Sequence, residues 1–194
     1  MITRYITLFL LILTSGLSGC GYNTIQKNDE AVLAAWGNVE ASYQRRADLI
    51  PNLVEVVKGY AAHEKDTLIA VAEARSKIGK VSLGADVLNN PDAFAQFQNA
   101  QGGLSSALSR LMVVVERYPD LKADQGFRDL QHQLEGTENR INVARVRYND
   151  AVMVFNTSIR TFPNNLTNKF LLQLPRRESF KAEAGAEKAP SVKF

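Results

Sequence analysis

The stretch from Phe127 to Phe155 constrains the fold more than any other part of the chain. Phe127, Leu130, Leu134, Thr137, Ile141, Ala144, Tyr148, Ala151 and Phe155 recur at steps of three and four without a slip. That spacing puts side chains on one face of an α-helix. A helix striped this way must bury its stripe, and no competing segment alternates with the period of two that would build a sheet. Its partners are therefore expected to be helices.

Three further seams supply them. Ile25, Val32, Trp36, Val39, Tyr43 and Ile50 fit a seven-residue repeat, with the charged Asp29 and Arg46 in the same register. A second seam runs through Leu53, Val57, Tyr60, Ala61, Leu68, Val71 and Ile78. Pro51 is read as the first turn of its helix, which spans about Leu49 to Ile78, with Asp48 just before it. Proline has no amide to donate, so it suits a first turn and disfavours an interior; a continuous helix kinked at Pro51 is the alternative. The loop "GKVSLGADVLNNPD" follows, and Asn90-Pro91-Asp92 opens a third helix through Phe94, Phe97, Gln101, Leu104, Leu108, Leu111 and Val115. Gly102 and Gly103 within it mark either a close helix approach or local softening. The expected fold is all-α, an antiparallel four-helix bundle with long helices over residues 25–162. Residues 163–194 form a C-terminal extension, partly irregular and loosely packed.

The N-terminus reads as an export signal. Arg4 precedes the apolar run Ile6 to Leu13, which is shorter than the roughly 20 residues a spanning helix needs. "LSGC", Leu17 to Cys20, resembles the bacterial lipobox. The resemblance implies cleavage of a lipoprotein signal peptide over residues 1–19 and lipidation of Cys20, with residues 20–24 as anchor and short linker. Cys20 is the one cysteine in the chain, so an internal disulfide and a thiolate metal site are both excluded. Loss of residues 1–19 removes Arg4 from 23 basic residues against 20 acidic, leaving 22 and a net charge of +2. A nearly neutral chain is not expected to bind nucleic acid.

Several blocks carry a family resemblance: "RRADLIPNLVEVVKGYAAHE" from Arg45, "YPDLKA" from Tyr118, "LEGTENRINVARVRYNDAV" from Leu134, "IRTFPNN" from Ile159, and "GAEKAP" near the end. Present in this order across nearly the whole mature chain, they resemble the LemA family. The resemblance implies a membrane-attached, extracytoplasmic helical bundle with no established enzymatic activity, cofactor or catalytic residues to carry over. Many members keep an uncleaved N-terminal transmembrane helix, whereas this chain has a lipobox. The anchor departs from the family pattern; the domain does not.

The residues themselves argue the same way. His63 and His132 are the only histidines, and neither has the Glu-x-x-His spacing of a di-metal bundle, so both are read as solvated. No serine sits in a strained glycine turn beside a base, and the glycine pair falls inside a helical repeat, unlike a phosphate-cradling loop. No enzyme activity and no cofactor are expected.

Two polar constellations remain. Glu64, Thr67, Gln101 and Thr137, with Arg140 flanking the last seam, are expected at similar depth in a hydrogen-bonded layer, which either fixes helix register or holds a small ligand. Arg45 and Arg46 are expected to clamp Glu135 or Glu138 across the bundle, or else to dock a partner or anionic lipid. The function expected is that of a lipid-anchored envelope scaffold with an unidentified protein partner and undefined oligomeric state, the alternative being a ligand-binding lipoprotein. Gly21 after the cysteine favours the outer membrane, facing the periplasm, where two membranes exist.

Overall fold

The computed structural model describes residues 2–79 and 84–181, without the side chains of residues 2, 3, 5–20, 85 and 86. It is all-helical. The elements are α1 (Ile2–Tyr60), α2 (Lys65–Ile78), a 3-10 turn (Ala85–Asn89), α3 (Pro91–Val115), α4 (Pro119–Ala123), α5 (Gln125–Ser158), α6 (Asn164–Thr167) and a π-helical turn (Asn168–Leu172). Contacts fix their directions. Trp36 meets Phe97 and Tyr148, Arg46 reaches Gln101 and Glu138, and Arg75 of α2 returns to Ala47. The four principal helices thus run up, down, up and down. Among the described residues no helix is long and apolar enough to cross a membrane.

Pro51 does not start a helix; the alternative, one helix continuous through it, is what the structure shows. The proline lies inside α1, so α1 continues ten residues past the expected boundary and α2 begins at Lys65. Asp48 is therefore no cap and accepts a hydrogen bond from Gln44 at 2.7 Å. The carbonyl that Pro51 leaves without its helical donor meets a side chain from elsewhere in the chain. Without an amide at position 51, the carbonyl of Ala47 loses its helical donor; Arg75 Nε on α2 donates to that oxygen at 3.2 Å. The proline break is mended by a side chain from the next helix.

The second difference is in the fourth helix position. α2, at 14 residues, covers the upper half of the bundle alone. Its apolar partners Ile50, Leu53, Val57, Leu104, Leu108, Leu111, Phe127 and Leu134 form one cluster. In the lower half the place of α2 is taken by irregular chain: Val87 and Leu88 of the 3-10 turn, and Phe180 of the C-terminal segment, join Trp36, Phe94, Phe97 and Tyr148 in a second cluster. Phe180 lies 5.1 Å from the Phe94 ring and 5.4 Å from the Tyr148 ring.

Residues 173–181 are irregular as expected, yet held rather than loose. Three asparagines grip their backbone. Asn168 exchanges two hydrogen bonds with Leu174, Asn156 two with Arg177, and Asn149 two with Phe180. Each asparagine amide substitutes for the neighbouring strand that an extended segment lacks. Arg177 Nη2 then closes on Asp29 at 2.7 Å, with 6% and 14% of the two side chains exposed. Tyr148 donates its hydroxyl to the Glu178 carbonyl at 2.8 Å, and burial pushes that phenol well above its ordinary range.

α1 also removes the expected linker. Residues 21–24 are helical and belong to α1. Gly21 is pressed so closely on α6 that an added Cβ would lie 2.7 Å from Asn164 Oδ1 and 3.0 Å from its Cα. Residues 182–194, including "GAEKAP", and the Cys20 side chain lie outside the described residues.

Two outcomes follow from these ties. Arg75→Met is expected to cost about 1 kcal/mol in chemical denaturation by orphaning the Ala47 carbonyl, and to cost almost nothing in a Pro51→Ala background where the helix supplies its own donor. Asn149→Ala with Asn156→Ala should lower stability by about 2–4 kcal/mol and raise hydrogen exchange at residues 177–180 first.

Candidate functional site

Between the two apolar clusters each of the three long helices places one polar residue in its seam. On α1 it is Arg46, between Tyr43 and Ile50; on α3 Gln101, between Phe97 and Leu104; on α5 Thr137, between Leu134 and Ile141. All three are buried, at 2%, 4% and 1% exposure. Because the seams share one spacing and the helices are in register, the three interruptions fall at one level.

Arg46 organises this level. Its Nη1 donates to Glu138 Oε1 and to Ser105 Oγ, both at 3.0 Å, and Nη2 donates to the Gln101 side-chain oxygen and its carbonyl. The guanidinium also lies 5.0 Å from the Tyr43 ring centroid. An arginine can only donate, so the Gln101 oxygen must face it. The Gln101 nitrogen is thereby turned away, and both it and Arg46 Nε are buried without an acceptor among the described residues. Thr137 stands at the same level but donates to its own helix, to Gln133 O at 2.7 Å.

The site therefore draws on both expected constellations. Gln101 and Thr137 from the polar layer meet Arg46 and Glu138 from the clamp. Glu64 and Thr67 are not there. They lie at the opposite end of the turn after α1, where Glu64 accepts from Tyr118 Oη and from Arg117, each at 3.0 Å, and Thr67 is half-buried. The misplacement follows from Pro51: depth measured from a helix start at residue 51 puts Glu64 thirteen residues too deep. Arg140 is exposed, and Glu135 is exposed beside His132, 3.8 Å away. Arg45 is also exposed, so the clamp has one arginine rather than two. His63 is exposed, and no cluster of metal-ligating side chains occurs among the described residues.

Two grooves flank the layer. One, between α3 and α5, has a volume of about 450 Å³ and is lined by Arg46, Gln101, Gly102, Ser105, Glu138, Asn142 and Arg145. Gly102 and Gly103 each have open space where a Cβ would go, so neither serves a close helix approach. The other groove runs between α1 and α5 on the outer side and is lined by Asn38, Arg45, Asp48, Asn139, Arg140, Val143 and Arg147. Its three arginines make no hydrogen bond or ion pair with another described residue. Sequence spacing carries the signal for this second face: residues 140 and 147 are one heptad apart on α5, outside the seam.

The profile of the LemA family matches residues 35–194. The chain belongs to the LemA family. It is 27% identical over 182 residues to Magnetosome protein MamQ 2 of Paramagnetospirillum magneticum, an alignment covering 86% of this chain and 66% of the relative. Magnetosome protein MamQ of Magnetospirillum gryphiswaldense is 26% identical over 158 residues, covering 73% and 58%. Protein LemA of Metamycoplasma hominis is 23% identical over 168 residues, covering 84% and 73%. The chain thus spans about two thirds or less of the length of the magnetosome relatives.

Removing one partner of the Arg46 pair leaves a largely buried guanidinium short of an acceptor, whereas replacing all polar partners removes the charge itself. Because Glu138 is half-exposed beside the groove and water can reach the freed donor, Glu138→Ala is expected to destabilise by about 1–2 kcal/mol. Arg46→Leu with Gln101→Leu and Glu138→Leu should melt at or above the parent temperature but show more than one Trp36 indole resonance, as register becomes degenerate. A single sharp indole signal would remove register-setting from the role of Arg46.

Proposed function

We propose that this LemA-family chain is a membrane-attached, extracytoplasmic helical scaffold without enzymatic activity, held by a lipid on Cys20, which docks an envelope protein through its outer face. The observation that carries this reading is the division of charge. Arg46 and Arg177, the buried basic groups, are each paired within the fold to Glu138 and Asp29, while Arg45, Arg140 and Arg147 stand unpaired along one open groove. Charge engaged inside holds helices together; charge left outside recognises an acidic partner and sets its orientation. Relatives named as magnetosome proteins support a bacterial membrane setting, with the outer membrane as the destination favoured by Gly21.

The ligand-binding alternative has less support. The α3–α5 groove is polar, but the two donors that lack acceptors, Arg46 Nε and Gln101 Nε2, are sealed from solvent and so from anything entering it. The layer is read as a register device.

Arg45→Glu with Arg140→Glu and Arg147→Glu should abolish recovery of the partner by crosslinking in intact cells without changing the melting temperature. Arg46→Glu should lower that temperature instead. An unchanged set of crosslinked proteins in the triple variant would end the docking role of this groove. Mass spectrometry of the mature N-terminus is expected to show acylated Cys20 as the first residue; retention of residues 1–19 would replace the lipid with an uncleaved anchor.

A further inference from the structure

The lower end of the molecule carries an apolar surface that the helical core does not use. Phe162, Leu166, Phe170 and Leu171 are exposed at 72%, 43%, 69% and 64%, and Tyr22, next in sequence to the Gly21 that meets α6, at 42%. The first three recur every fourth residue, so α6 and the π-helical turn turn them outward while Thr167, between them, is buried. Four apolar side chains within ten residues of sequence form a patch rather than the scattered exposure usual on a soluble surface.

The surroundings identify what covers it. From Ile159 to Arg177 the chain has no acidic residue and four basic ones, Arg160, Lys169, Arg176 and Arg177. Among the described residues, only Arg177 of these is engaged in an ion pair. Lys169 Nζ lies 5.6 Å above the Phe170 ring. Exposed aromatic and aliphatic side chains fringed by unpaired cations are the composition of a surface that enters the boundary of an anionic bilayer, with rings at headgroup depth and amines reaching phosphates.

Position gives the second, independent argument. Gly21 touches Asn164 of α6, and residues 21–24 are helix rather than tether. A membrane anchor at residue 20 or before it therefore emerges within one residue of the patch, and there is no slack to lift the patch away. We propose that α6 and the following turn form a foot that inserts Phe162, Leu166, Phe170 and Leu171 into the interfacial region of an anionic membrane, fixing the orientation of the bundle. This rests on the reading that the N-terminal segment attaches the chain to a membrane, and holds for a lipid or an apolar helix alike.

The test uses the full chain, reconstituted into phosphatidylethanolamine–phosphatidylglycerol vesicles with brominated acyl chains. Phe170→Trp is compared with Val113→Trp, an exposed site on α3 near the far end. Trp36, the chain's single tryptophan, serves as an internal reference, being 2% exposed and about 22 Å along α1 from Gly21. The emission added at position 170 should shift to the blue and lose most of its intensity to bromine, while that of Trp36 and of position 113 stays unquenched. Protein that floats with the vesicles but keeps full emission at position 170 overturns the foot and leaves attachment standing. Protein that fails to float overturns both. A blue shift at position 170 that grows with protein concentration in vesicle-free detergent-depleted solution, and is not quenched in vesicles, assigns the patch to a second copy of the chain and overturns the foot.

Discussion

The contact on which the helical packing depends is the fork from Arg46 to Gln101, Ser105 and Glu138. It joins three helices at the one level where none has an apolar side chain to offer. Above it, an apolar seam of Leu, Val and Ile resists sliding less, since a similar side chain three or four residues away fills much the same space. A guanidinium does not tolerate it. Shifted by a turn, Arg46 would face the apolar neighbours of Tyr43 or Ile50 and leave its carboxylate partner behind, a cost of about 1–3 kcal/mol. The layer contributes little net stability and a great deal of uniqueness.

Most of the fold was legible in one chain because three-four periodicity is local. The seams of α3 and α5, the cap at Asn90 and the stop near Pro119 all follow from residues close in sequence, and Asn90 Oδ1 does accept from the amides of Asp92 and Ala93 at 3.0 and 3.2 Å. The place of Pro51 inside α1 is less legible, because the donor that meets its orphaned carbonyl is not local. A proline inside a helix orphans the Ala47 carbonyl, and only the return of α2 brings Arg75 to it, 28 residues away. Glu64 and Thr67 lie outside the layer for the same reason: α2 starts at Lys65, so both stand at its upper end. Arg46 and Asp29 were visible as charges in an apolar register; their partners were not, because Arg177 lies 148 residues beyond Asp29 in a segment without periodicity.

The C-terminal segment shows why such a region escapes pattern reading. It contributes few side chains, the Phe180 ring, the Arg177 guanidinium and part of Leu174, and is otherwise held by its backbone through the amides of Asn149, Asn156 and Asn168. The first two are seven apart on α5 and half-buried on its flank. Two asparagines at heptad spacing beside an apolar seam are a usable signal: they satisfy an unpaired chain where a helix would need its own seam. The economy of this arrangement explains how α2 can be short. A 14-residue helix covers the upper cluster, and about nine residues of pinned chain cover the lower one, so the bundle needs no fourth long helix.

Seen along α1, these features form one mechanical unit. The helix begins against α6 at Gly21, passes the aromatic cluster at Trp36, is locked at Arg46, and continues through Pro51 because Arg75 supports the break. No flexible joint interrupts that path among the described residues. A scaffold of this kind presents its outer groove, with Arg45, Arg140 and Arg147, at a set height above whatever holds its lower end: from Gly21 to Arg45 is about 36 Å along the helix. That distance exceeds several Debye lengths at physiological salt, so the groove's charge does not feel the membrane surface. On the proposals made above, the groove would recognise a protein while the basic residues at the foot meet lipid, and the continuous helix between them would keep the two acidic partners apart.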